Sequence, residues 1–196
     1  MSTPSNSVFP TPGQTVGPFF GQSLPYAGGN ELVPAGRADA IRLHGYVLDG
    51  AGVPIPDALV EIWQADVDGT VPREAGSLHR DGWTFTGWGR CETDRTGHYG
   101  FSTVVPGATE DGKAPFFAVV VFARGLLDRL FTRIYLPGHP ANEGDALLAS
   151  LSPAEGATLV AEAEPTGLRH DIRLQGQPGD DGETVFLAFP GQYARA

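Results

Sequence analysis

Phe116-Phe-Ala-Val-Val-Val-Phe122 is a run of seven residues without a charge, a glycine or a proline, and it is apolar in both alternating sets of side chains. Such a run reads as a strand, and being apolar on both faces it belongs in the middle of a core. Comparable runs lie on either side. Upstream are Ile41–Leu48, Ala58–Ala65 and Tyr99–Val105; downstream are Phe131–Leu136, Arg169–Gln175 and Glu183–Phe189. Tyr99, Phe101 and Thr103 alternate with Gly100 and Ser102, and Ile172 and Leu174 alternate with charged neighbours, as half-buried strands do. Asp-Gly pairs at 49–50, 68–69, 81–82, 111–112 and 181–182 supply turn signals between them. Seven or more short strands at this spacing predict an all-β fold, a β-sandwich of mixed or antiparallel strands.

One helix is predicted. Ser152-Pro-Ala-Glu155 offers an N-cap serine, a proline at the first helical position and a glutamate three residues after the cap. Good helix formers continue from Ala157 to Ala163 until Pro165 stops them, and Ala146–Leu151 adds a shorter helical turn. Residues 1–40 read as an extended arm, and residues 41–196 as the sandwich domain. Prolines at 4, 10, 12, 18, 25 and 34 deny the arm a regular helix or a long strand. Val16, Phe19, Phe20, Leu24 and Tyr26 are too apolar for a solvated tail, so the arm is expected to lie along a surface of its own domain or of a partner.

Composition narrows the function. The chain has 196 residues and a formal charge of −10, which argues against binding nucleic acid or an anionic membrane surface. The single cysteine, Cys91, excludes an internal disulfide framework. No apolar run is long enough to span a bilayer, and the N-terminus lacks the pattern of a secretory signal, so a cytoplasmic protein is expected. The 27 glycines and 17 prolines fit many turns around a real core.

The chain names no catalyst by its own chemistry. Its five histidines, at 44, 79, 98, 139 and 170, are never within four residues of one another, so no local metal pair exists. His44 and His98 read as ordinary polar positions. No serine sits in a Gly-x-Ser-x-Gly elbow, and Gly87-Trp-Gly89 lacks the third glycine of a dinucleotide fingerprint. Cys91 beside Arg90 could have an activated thiol, but a small half-buried residue ahead of a turn is the plainer reading. Trp63 and the Val60/Ile62 pair read as core and interface packing.

Longer motifs carry a resemblance. Leu43-His-Gly-Tyr-Val-Leu-Asp49, Val53-Pro-Ile-Pro56 and Ala58-Leu-Val-Glu-Ile-Trp-Gln-Ala-Asp66 are followed by Asp94-Arg-Thr-Gly-His-Tyr-Gly-Phe101 and Val105-Pro-Gly107. Together they resemble the signature of the intradiol ring-cleavage dioxygenases over about residues 40–190, and Thr11-Pro-Gly-Gln-Thr-Val-Gly-Pro-Phe19 extends it into the arm. Phe122-Ala-Arg-Gly125, Thr132-Arg-Ile-Tyr135 and Asp171-Ile-Arg-Leu-Gln-Gly176 resemble the α chain of the family's two-chain members in particular.

The resemblance implies O2-dependent cleavage of a catechol on a mononuclear Fe(III) held by two tyrosinates and two histidines. Hard phenolate oxygens stabilise the ferric state and imidazoles complete the site. In the iron-binding chains the histidines form His-x-His on one strand, where period two aims both at the metal. Here Phe116 and Ala118 stand in those slots, and Thr109 stands where a tyrosine would follow the Pro-Gly turn. No tyrosine occurs between Tyr46 and Tyr99 to serve as the other ligand, and Tyr99 belongs to a strand motif. The chain is therefore expected to bind no iron itself. The resemblance implies Fe(III) on a homologous β chain, an (αβ)n oligomer, a catechol carboxylate and O2 as substrates, and substrate contacts from Thr15, Gly17, Pro18 and Arg133. Independently, Phe131, Arg133 and Tyr135 share one face of their strand, and an arginine among aromatics suits an aromatic carboxylate. The competing expectation is a non-catalytic sandwich that keeps the fold as a binding module. A homo-oligomeric iron dioxygenase is disfavoured by the missing His-x-His.

Overall fold

The computed structural model describes residues 20–74, 80–176 and 182–188. Strand β1 (Ile41–Leu48) lies between β4 (His98–Thr103), antiparallel to it, and β8 (Gly167–Arg169), parallel to it. β7 (Glu162–Glu164) extends that sheet beyond β8, and β9 (Ile172–Arg173) pairs with the far end of β1. The second sheet is antiparallel, in the order β3 (Trp88–Glu92), β2 (Leu59–Trp63), β5 (Phe116–Phe122) and β6 (Leu130–Tyr135). The expected all-β sandwich is the fold.

Alternation builds the core between the sheets. Leu43 and Val47 of β1 and Tyr99 and Phe101 of β4 face Val60 and Ile62 of β2, Phe117, Val119 and Val121 of β5, and Ile134 of β6. The hydroxyl of Tyr99 donates to the His170 carbonyl at 2.7 Å, and burial pushes this phenol far above its ordinary range, so Tyr99 is structural. β5 is an interior strand, but only one of its faces lies in the core. Phe116, Ala118, Val120 and Phe122 point to the opposite face of the sheet and are half-buried.

One turn design recurs three times. Asp49, Asp66 and Asp94 each accept, through Oδ1, the backbone N–H groups two and four residues on. The glycine three residues on, Gly52, Gly69 or Gly97, has a φ of 77°, 83° or 75° and donates back to the aspartate carbonyl. The side chain thus satisfies the bend's orphan donors while glycine takes the left-handed position.

Several elements depart from the sequence reading. α1 (Phe20–Ser23) is one helical turn within the proline-rich segment. Further along, Leu32 and Val33 are buried against their own domain, one of the two surfaces expected for the arm, and both of their N–H groups donate to the Ser102 carbonyl. β3 has no alternating apolar signature, since Gly89 and Arg90 interrupt it, yet it pairs with β2 from Leu59↔Glu92 to Trp63↔Trp88. A short 3-10 turn (Pro140–Gly144) precedes α2 (Ala146–Ala149). The capping box on Ser152 starts α3 as expected, but the helix ends at Ala157 rather than running on to Ala163. The edge of β6 recruits the residues beyond it. Tyr135 N–H donates to Leu159 O at 2.8 Å and Ala161 N–H to Tyr135 O at 3.0 Å, and the alternating Leu159 and Ala161 are buried. Burial along a sheet edge outweighs helix propensity here.

The run at 169–175 is two strands because the Asp171 carboxylate, rather than a backbone carbonyl, accepts from Tyr46 N–H. Residues 182–188 form no regular strand, although Thr184 N–H donates to Arg173 O and Leu187 N–H to Phe131 O, joining the two sheets.

Candidate active-site wall

The outward face of the β3–β2–β5–β6 sheet carries the residues that matter. At its centre Ala118 pairs with Trp63 on one side and with Arg133 on the other. Phe116, two residues along β5, lies on the same face. Trp63, read from sequence as packing, is 46% exposed, whereas Val60 and Ile62 are wholly buried. The indole instead lines a cleft of about 170 Å³ together with Ala118 and Phe116.

Two loops close the cleft. The turn begun by Asp66 packs on the Val105-Pro-Gly107 segment, where Gly107 N–H donates to Asp66 O at 2.7 Å. A side chain at Gly69 would place its Cβ 1.9 Å from Ala108 O, so only glycine lets the loops interlock. Their contact sets Thr109 on the cleft rim. Below them Gln64 is buried, donates to Ala65 O and Val104 O, and accepts from the Thr103 hydroxyl.

The three positions read as vacated ligand slots, Thr109, Phe116 and Ala118, therefore line a single cleft. Phenylalanine and alanine have no donor atoms, and one neutral hydroxyl does not hold a ferric ion. The residues present do not fit iron.

Arg133 borders this cleft without lining it. Its guanidinium carbon sits 4.0 Å from the centroid of the Phe116 ring, and its Nη1 donates to the Tyr135 hydroxyl at 3.1 Å. Tyr135 passes its own proton donor to Asp145 Oδ1 at 3.0 Å. The same carboxylate oxygen caps α2 by accepting from Leu147 and Leu148 N–H. Burial pushes the Tyr135 phenol up, and the Arg133 cation opposes that shift. Stacking fixes the plane of the guanidinium and the hydroxyl fixes its rotation. Among the described residues no carboxylate pairs with Arg133, so its charge is available to an anion. Thr15, Gly17 and Pro18 lie outside the described residues.

Sequence reading missed Asp145. Its role depends on a 3-10 turn that brings it under Tyr135, which no spacing rule signals. It also treated His44 and His98 separately, whereas β1–β4 pairing puts His44 Nδ1 3.1 Å from His98 Nε2, with Glu164 on His44 Nε2 at 2.8 Å. Burial, with help from the Arg42 guanidinium, holds the His98 imidazole below its ordinary range. This cluster belongs to the other sheet. Burial pushes the Cys91 thiol up, so it is not an activated nucleophile.

Known proteins share this architecture. The family described as Dioxygenase matches residues 16–176. A protocatechuate 3,4-dioxygenase alpha chain from Burkholderia cepacia is 37% identical over 196 aligned residues, covering 90% of this chain and 96% of the relative. The beta chain of protocatechuate 3,4-dioxygenase from the same organism is 31% identical, over 71% of this chain and 66% of its own length. Among solved structures, the dioxygenase domain of a dioxygenase–carbohydrate-binding fusion from the cellulolytic bacterium Streptomyces sp. SirexAA-E aligns with a TM-score of 0.54 at 28% identity. It covers 84% of this chain and 96% of that one. Among the described residues no helix is long and apolar enough to cross a membrane.

Proposed function

The chain belongs to the dioxygenase family, in its intradiol branch, and from that membership we propose that it is the α subunit of a protocatechuate 3,4-dioxygenase that holds no iron of its own. The observation that carries this reading is the cleft lined by Thr109, Phe116 and Ala118, where an iron-binding relative needs several donor atoms and this chain offers one neutral hydroxyl. The ferric iron then belongs to a homologous β chain, in line with the likeness of this chain to both chains of such an enzyme.

In this reading the α and β chains associate into an (αβ)n assembly in the cytoplasm. The reaction inserts both atoms of O2 between the hydroxylated carbons of protocatechuate and yields 3-carboxy-cis,cis-muconate. The work of this chain is binding and enclosure. Arg133 offers a fixed, planar cation to the substrate carboxylate, which suits it because guanidinium stays charged and donates as a fork. The Gln14-Thr-Val-Gly-Pro18 stretch of the arm reaches the neighbouring site, with Thr15, Gly17 and Pro18 close to the substrate. The backbone at Gly17 can approach a ligand closely because no Cβ intervenes. A net charge of −10 repels an anionic substrate at long range, so this local cation matters more than the overall field.

The test is reconstitution. The purified chain is expected to be colourless and inactive in O2 uptake with protocatechuate, and addition of its cognate β chain restores turnover. Tight stoichiometric ferric iron in the chain alone contradicts the assignment.

A further inference from the structure

The cleft between Trp63 and Phe116 is more than a vacated position. Its space of about 170 Å³ is that of one six-membered ring, since an apolar cavity of about 150 Å³ accommodates benzene. The methyl group of Ala118, the Trp63 indole, the Phe116 ring, Pro72 and Pro115 all line it. No charged side chain lines it. The amide of Gln64 is spent on Ala65 O, Val104 O and Thr103. The polar side-chain groups that remain in the lining are the Thr109 hydroxyl and the Trp63 indole N–H.

We infer that this cleft is a binding site for a neutral monocyclic phenol, held between Trp63 and Phe116 over Ala118 with its hydroxyl on Thr109. An ionised carboxylate is excluded from the interior because it would lose its hydration with no cation in the lining to replace it. Flat rings gain from the two aromatic walls, which favour offset or edge contacts. The site is separate from the substrate contacts of Arg133, which lies outside the lining. It belongs to this chain alone, so it does not depend on the subunit assignment and is measured without any β chain.

Titration of the full-length chain with phenol, followed by the indole N–H resonance of Trp63, tests it. Saturable binding is expected in the low-millimolar range, on the order of 1 mM for so small a ligand. The indole of Trp83, which is 93% exposed, serves as the unperturbed control. Benzoate at neutral pH binds at least tenfold more weakly than phenol. Ala118→Phe fills the cleft and abolishes saturation, with the melting temperature reporting that the variant is folded. Should that variant not fold, Val71→Trp, at a position already 55% exposed, blocks the same cleft from its mouth. Thr109→Val weakens phenol several-fold and leaves benzene unchanged. No saturable phenol binding, binding that survives both blocking variants, or benzoate binding as tight as phenol would each overturn the inference.

Discussion

Arg133→Ala separates the proposed role of the arginine from its role in packing. Two interactions seen in the structure are lost, the stack on Phe116 at 4.0 Å and the hydrogen bond to Tyr135 at 3.1 Å. A half-exposed cation–π contact is worth ~0.5–1 kcal/mol and a hydrogen bond to a neutral hydroxyl ~1 kcal/mol. Tyr135 keeps Asp145 as a partner, so no buried group is orphaned. The stability loss is therefore about 1.5–2 kcal/mol, or roughly 3–8 °C in melting temperature for a chain of this size. The catalytic loss is larger. Removing a charge-assisted contact to the substrate carboxylate costs ~1.5–3 kcal/mol, roughly 10- to 150-fold in kcat/KM.

Oxygen uptake by the reconstituted αβ enzyme reads this out, with protocatechuate and with catechol, which lacks the carboxylate. The variant should lose kcat/KM on protocatechuate and stay within about twofold of the parent on catechol. Equal losses on both substrates would mean that Arg133 shapes the cleft without meeting the carboxylate. An unchanged kcat/KM on protocatechuate in a correctly assembled complex would falsify the substrate contact outright.

Tyr135→Phe leaves Arg133 stacked but free to rotate, so a milder rise in KM, about three- to tenfold, is expected with kcat nearly preserved. Rescue by added stability elsewhere should not restore KM if positioning is the cause. Gln64→Leu strips partners from Thr103, Ala65 O and Val104 O beneath the cleft and should cost about 2–4 kcal/mol, visible as a fall in the urea midpoint at constant slope. Stability should also depend on pH through His170, whose ring is buried with Nε2 on Thr158 O and Nδ1 without a hydrogen-bond partner among the described residues. Burial holds its pKa below the ordinary 6.5, so the unfolded chain takes up the proton first. Stability is then full above about pH 6.5 and declines as pH falls below it. His98 is depressed as well and acts with the same sign. The melting temperature of His170→Gln should decline less steeply between about pH 7 and pH 5 than that of the parent, and parallel slopes would remove His170 from the account.

How much of this was legible beforehand depends on the kind of physics that set each element. β1, β2, β4, β5 and β6 were visible because short apolar runs, alternating as in β4 or apolar on both faces as in β5, are written locally in sequence. β3 was not, because Gly89 and Arg90 are held in a strand by pairing with β2, a contact between distant segments in which Glu61 and Arg90 also form an ion pair. The early end of α3 has the same origin. Local preference favoured helix through Ala163, and the free edge of β6 drew Leu159 and Ala161 into pairing instead. The site divides likewise. Thr109, Phe116 and Ala118 were found through the family's motif, and the structure brings them to one cleft. The orienting chain from Arg133 through Tyr135 was half visible in the period of two, while Asp145 arrives by a fold-back that no pattern announces.

Phe116 ties the proposed absence of iron to the presence of a usable arginine. In an iron-binding relative the same slot holds a histidine on the metal. A ferric centre there, left with about +1 of charge by two tyrosinates, would still be a cation beside the Arg133 guanidinium, which sits 4.0 Å from the Phe116 ring. Like charges at such separations cost several kcal/mol in a partly buried site. A phenyl ring in that slot has no donor atom for a metal and offers instead the negative face on which a guanidinium stacks. Holding iron and presenting an arginine from the adjacent strand are thus competing uses of one small area of sheet, because Ala118 pairs directly with Arg133. Under the proposed assignment, two homologous chains would divide the tasks. On this argument Phe116→His should loosen Arg133 before it creates any metal affinity, since one imidazole without tyrosinates is a poor ferric site. The loosened arginine should show as a higher KM for protocatechuate in the reconstituted enzyme, with the iron content of this chain unchanged.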